Sequence, residues 1–173
     1  RDNIVVVNAY SKGYAMTGWR VGYAFGAKAV IEAMDKHQSQ FCSNVCSIAQ
    51  YAAVAAYDDD GAYPKLMKET FTKRLQIVCE YVEQMEGVNL TPKPQGAFYA
   101  FLDVSSCKGK KAGDKIINSS NDFADYLLND FDVVTVSGEA FGAEGSIRLS
   151  FAMDDEQLKK GLSRIVKAIE QLK

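Results

Sequence analysis

The chain has 173 residues, 47% of them apolar and 24% charged, a composition that supports a buried core without disulfide staples. Its 20 basic and 22 acidic side chains leave a formal charge of −2, which argues against a polyanion-binding surface, so no nucleic-acid partner is expected. No apolar run is long enough to span a bilayer and residues 1–10 lack the succession of a secretory leader, so the expectation is a soluble, cytoplasmic protein with no membrane partner.

Residues 4–7 (IVVV) read as a fully buried strand and 20–25 (RVGYAF) as a second. Between and overlapping them runs SKGYAMTGWRVG, residues 11–22, which puts Lys12 just past a strand end and Arg20 eight residues later. Fully extended, such a stretch would span about 25 Å. Gly13, Gly18 and Gly22 allow it to fold back instead. A lysine at a strand end stands where open α/β sheets hold their ligands. A strand pair this near Arg1 cannot cover both of its own faces, so the chain is expected to be the C-terminal part of something longer.

Helical patterning follows Gly26 through about Ser39 and resumes over 43–57, with Ser43 as a candidate N-cap and 58–61 as a turn. A long amphipathic helix is predicted over 63–85, where Met67, Phe71, Leu75, Val78, Val82 and Met85 recur at spacings of three and four before Gly87 ends it. His37 is the single histidine and is expected on a helix surface. Cys42, Cys46, Cys79 and Cys107 have no zinc-like spacing and read as free thiols, so no metal is expected.

Further on, strands are predicted at 96–103, 133–136 and 147–152, with a helix over 121–130 and a mobile, solvated loop over the lysine-rich residues 105–120. The last helix begins at Asp154, with Gln157 as capping partner, and packs Leu158, Leu162, Ile165, Ile169 and Leu172 inward. Arg148 lies in IRLSFA, among apolar strand residues. A guanidinium there calls for a partner, either an anionic ligand held by two parallel hydrogen bonds or a carboxylate in a structural salt bridge.

The string SKGYAMTGWRVG resembles the lysine segment of the class I/II aminotransferases, fold type I enzymes that use pyridoxal 5'-phosphate (PLP). IRLSFA, QFCSN and GAFY are similar to further strings of that family, and the match runs from Asn3 essentially to the end. The resemblance implies an α/β fold class, the C-terminal part of the PLP-dependent transferase fold. Residues 1–61 would close the large cofactor-binding domain with a remnant of its sheet, and 62–173 would form the linking helix and a small α+β domain.

It further implies that Lys12 forms the Schiff base with PLP and later moves a proton between substrate and cofactor. A Schiff base forms from a neutral amine, which nearby positive charge and partial burial favour. Arg20 would hold the cofactor phosphate, Ser11 would donate a hydroxyl to it, and Arg148 would grip the substrate α-carboxylate. Ser43 and Asn44 would reach into a neighbouring subunit's active site, which makes the parent a homodimer. Gly96, Phe98 and Tyr99 are assigned to the small-domain core. Two positions depart from relatives: Ala9 stands where many carry a phosphate-binding serine or threonine, and Ser39 where an aspartate-specific subgroup carries an arginine.

The implied activity is aspartate aminotransferase-like transamination between an amino acid and a 2-oxo acid. A PLP-dependent lyase or synthase on the same scaffold is the alternative, as is a non-catalytic interaction module, against which the joint presence of Lys12, Arg20 and Arg148 argues. The chain alone is expected to be inactive, because the family's ligands to the cofactor ring precede the lysine segment.

Overall fold

A computed structural model describes residues 3–90 and 92–173. The chain divides into two compact units, Arg1–Lys68 and Glu69–Lys173, and the division falls inside a helix.

The first unit contains β1 (Val6–Ala9), the single turn α1 (Tyr10–Gly13), a 3-10 turn at Thr17–Trp19, β2 (Gly22–Phe25), α2 (Lys28–Phe41), α3 (Ser47–Tyr57) and the start of α4 (Ala62–Val82). The two strands pair antiparallel from Val6↔Phe25 to Ala9↔Gly22. Gly22 is required for that approach, since a Cβ there would lie 2.7 Å from the carbonyl oxygen of Asn8. The expectation of fully buried strands is not met: β1 is exposed along its length, Val7 by 72%. Among the described residues of this unit β1 pairs with β2 alone, and the small core of Met16, Val21, Ala49 and Ala53 lies around the loop and α3.

Ser43 does not cap a helix. An N-cap takes an extended backbone, whereas Ser43 has φ 59°, and α3 begins only after Cys46, which supplies no side-chain cap. Cys42 and Cys46 therefore flank the connection between α2 and α3. His37 is exposed on α2, as predicted, and stacks on Phe41 at 4.3 Å.

The second unit continues from α4 through β3 (Tyr99–Asp103), β4 (Lys111–Ala112), β5 (Lys115–Ile116), α5 (Ser120–Phe131), β6 (Val136–Ser137), β7 (Ser146–Ser150) and α6 (Asp155–Glu170). Its main sheet has the order β3-β7-β6, antiparallel throughout. The strand period of two sorts the side chains: Ala100, Leu102, Ile147 and Leu149 are buried, while Tyr99, Phe101 and Arg148 occupy the other face. The buried face joins one cluster with Val78 of α4, Phe123 and Leu127 of α5, and Leu158, Leu162 and Ile165 of α6.

Local chemistry sets the helix ends. Ser119 and Asp122 form a capping box at α5, and Asp154 accepts from the N–H groups of Glu156 and Gln157 at α6. At the other end of α5, Asp132 turns left-handed and the N–H of Val133 bonds the carbonyl of Leu127 at 3.0 Å. That closure consumes the start of the predicted 133–136 strand, so β6 begins at Val136. Residues 105–120 are mostly exposed, as expected, but they carry regular structure instead of an open loop. Gly113, at φ 59°, and Asp114 turn a two-residue hairpin between β4 and β5. Cys107 and Ile117 are buried beside it, and Lys111 exchanges both backbone hydrogen bonds with Lys173.

Candidate active site

Lys12 and Arg20 lie on one loop, residues 10–21, that leaves β1 and returns on β2. Its base is closed by the Ala9↔Gly22 pair and by the Tyr10 N–H donating to the Val21 carbonyl at 3.4 Å. Lys12 stands near one end of the loop and Arg20 near the other, so the closed base draws together two residues that an extended chain would hold far apart. Lys12 is exposed on α1, with half-buried Ser11 beside it. Tyr10 and Tyr14 bracket them with ring centroids 5.5 Å apart, and Tyr14 stacks on Tyr63 at 6.3 Å. Burial first, and then the neighbouring phenols of Tyr23, Tyr14 and Tyr57, push the Tyr10 hydroxyl above its ordinary pKa.

The backbone of this loop is strained at Ala15 (φ 52°) and at Arg20 (φ 53°, ψ 46°). For a residue with a side chain this left-handed conformation costs roughly 1–2 kcal/mol, and such strain concentrates at functional sites. It brings the Arg20 guanidinium back onto its own loop, where Nη1 donates to the Thr17 carbonyl at 2.8 Å. Arg20 also lines a cleft of ≈ 570 Å³ with Trp19 of the loop, Gln38 of α2, Asn44, and Ile48 of α3. Arg20 and Asn44 are thus brought together, while Lys12 and Ser11 do not line this cleft. Ser43 is exposed next to Asn44. Ser39 is exposed on α2, where its hydroxyl donates to the Lys36 carbonyl at 2.9 Å.

Arg148 belongs to the second unit. On β7 it faces Phe101 of β3 and Val136 of β6. Its guanidinium carbon lies 4.4 Å from the ring centroid of Tyr99 and 4.5 Å from that of Phe141. Among the described residues no carboxylate pairs with it, so the structural salt bridge weighed from the sequence is absent there. Among the described residues its partners are two aromatic rings.

This arrangement corrects the assignment of Gly96 and Tyr99 to the core and keeps that of Phe98. Phe98 packs half-buried against the core, but Gly96 is exposed and Tyr99, 36% exposed, lies on the opposite face of the sheet, because alternate residues of β3 point to opposite sides. The same period of two, counted from Arg148 through its partner Phe101, could have found Tyr99. Phe141 carried no such signal, since it comes from the 3-10 turn Gly138–Phe141 and meets Arg148 only through the fold.

A family model described as aminotransferase class I and II matches residues 1–165. The chain is 41% identical over 173 residues to a probable aspartate/prephenate aminotransferase of Rickettsia bellii, covering 99% of this chain and 43% of the relative. It is 42% identical over 172 residues to an aspartate aminotransferase of Streptomyces avermitilis, covering 99% and 42%. Among solved structures, the aspartate aminotransferase of Rhizobium meliloti superposes with a TM-score of 0.92 at 39% identity, over 98% of this chain and 42% of that one. A Thermus thermophilus aspartate aminotransferase variant gives 0.84 at 32% identity, over 96% and 44%. The chain spans about two fifths of the length of the curated relatives it matches. The class is PLP-dependent. By sequence and by fold, the chain belongs to the class I and II aminotransferase family.

Proposed function

We propose that the protein carrying this chain transfers an amino group between an amino acid and a 2-oxo acid with PLP, in the manner of an aspartate aminotransferase. The observation that supports the proposal is the loop of residues 10–21, whose closed base keeps Ser11, Lys12 and Arg20 on one turn of a chain that belongs to this family. Those groups fit the cofactor chemically: Lys12 suits its aldehyde, and Arg20 and Ser11 suit its phosphate. The strained backbone at Arg20 fits as well, since such strain persists where a side chain must be aimed.

When bound, PLP supplies the electron sink for carbanion chemistry. The chain's own residues do the rest. Lys12 Nζ holds the cofactor and later carries the proton at the substrate Cα; Arg20, with Ser11, neutralises the phosphate; Arg148 orients the substrate by its α-carboxylate. By the family resemblance, Ser43 and Asn44 serve the site of a second copy, and the active assembly is a cytoplasmic homodimer. In this scheme residues 1–61 end the large domain, and 62–173 are the linking helix and small domain.

The test is borohydride reduction of the PLP-loaded full-length protein followed by peptide mapping, together with assays of amino donors against 2-oxoglutarate. The label is expected on Lys12 and absent from Lys12→Ala. Labelling of another lysine would remove Lys12 from the role. Ammonia release without consumption of the 2-oxo acid would move the activity to elimination. The 173-residue chain alone is expected to give no turnover.

A further inference from the structure

We infer that Tyr99 and Phe141 are positioning residues for a substrate carboxylate, holding the Arg148 guanidinium between two rings so that its edge is offered to the anion. The inference rests on the proposed carboxylate role of Arg148. Both rings lie well inside the ~6 Å range over which an aromatic face attracts a cation. The five N–H donors of a guanidinium all point outward in its plane, and its faces carry none. A ring stacked on a face holds the charge without using a donor. A protein carboxylate in their place would have occupied the very hydrogen bonds a ligand needs. Among the described residues no such carboxylate is present.

The two rings are themselves held. Tyr99 is carried on β3, whose register places Phe101 opposite Arg148, and its ring meets that of Phe98 at 4.5 Å. Phe141 ends a 3-10 turn with little freedom. Ser137 Oγ, which accepts from the Glu139 N–H, bonds Ser120 Oγ at 2.9 Å, and a Cβ on Gly138 would lie 2.2 Å from the carbonyl oxygen of Ala143. Phe101 packs edge-on against Phe141 at 6.1 Å. Preorganisation of this kind lowers the ordering cost of binding.

The test uses the full-length PLP-loaded protein. Tyr99→Leu and Phe141→Leu are each expected to raise the amino-acid KM about tenfold with kcat within about twofold and with cofactor absorbance and melting temperature retained. Tyr99→Phe and Phe141→Tyr, which restore a ring, should recover most of that loss. Should a leucine variant fail to fold, pentafluorophenylalanine at the same position keeps the shape while reversing the charge of the ring face, and the same rise in KM is expected. If Arg148→Lys raises KM while the leucine and fluorinated variants do not, the clamp has no positioning role. If Arg148→Lys itself leaves KM unchanged, the carboxylate role of Arg148 fails and the inference falls with it.

Discussion

Lys73 Nζ donates to Asp155 Oδ2 at 2.6 Å, and Arg74 Nε donates to the other carboxylate oxygen at 3.2 Å. The three side chains join α4 to the first turn of α6, where a negative charge also suits the helix dipole. The Lys73 hydrogen bond, followed by that of Arg74, holds the Asp155 carboxyl below its ordinary pKa. A depressed carboxyl contributes stability above its unfolded value and loses it as the pH falls through the folded one. Thermal unfolding should therefore show stability declining from about pH 4 downward, and Asp155→Asn should flatten that acid limb. Superimposable limbs would remove the ion cluster from the acid response. Asp103 and Asp122, lowered chiefly by hydrogen bonds from Ser105 and from the Asn118 backbone, contribute with the same sign.

Cys107 is 1% exposed, and burial pushes its thiol above the ordinary value. Cys42 and Cys46 are exposed. Alkylation of the native chain should modify those two rapidly and leave Cys107 unmodified until the second unit opens. Early loss of the Cys107 thiol, mapped by mass spectrometry, would contradict the packing of the 105–120 segment.

Gly138→Ala is expected to destabilise the second unit by roughly 2–4 kcal/mol in denaturant unfolding. The added Cβ would meet two carbonyl oxygens, those of Ala143 at 2.2 Å and Ser146 at 2.7 Å, and neither is the end of a flexible side chain. A change below about 0.5 kcal/mol would mean that the turn relaxes freely.

Hydrogen exchange on the 173-residue chain should separate the two units. The first has a core of Met16, Val21, Ala49 and Ala53, and β1 is exposed on both faces. The second buries Leu102, Phe123, Leu127 and Ile147 completely. Amides of β1 and β2 should exchange rapidly and those of β3 and β7 only near global unfolding. Equal protection in both would show that contacts beyond these cores hold the first unit.

The parts of the chain legible in the sequence are those where one local signal sufficed. Asp154 marked the start of α6 and the spacing of Met67 to Val82 marked α4; the lysine segment does turn, but its left-handed positions are Ala15 and Arg20 instead of Gly13 and Gly18. Elsewhere local and non-local forces competed. The hydrophobicity of IVVV implied burial, but burial depends on what covers a strand, and among the described residues of its unit β1 has β2 alone beside it. Lysines and glycines disguised the 105–120 segment, although Gly113-Asp114 between Ala112 and Lys115 is a two-residue hairpin signal. At Arg148 the need for a partner was legible but its nature was not, because Phe141 reaches it through a separate turn.

On β7, Arg148 stands between Ile147 and Leu149, both buried. A shift of the strand by a single residue would drive the guanidinium into the apolar layer and turn a branched aliphatic chain toward Tyr99 and Phe141. Such a strand cannot be partly wrong. Its two faces act like a parity bit: the apolar layer rejects every odd offset, so a chain that completes this sheet has already checked which way its arginine points. Insertions between Gly138 and Ser146 can thus survive only where the extra length is absorbed before β7 begins.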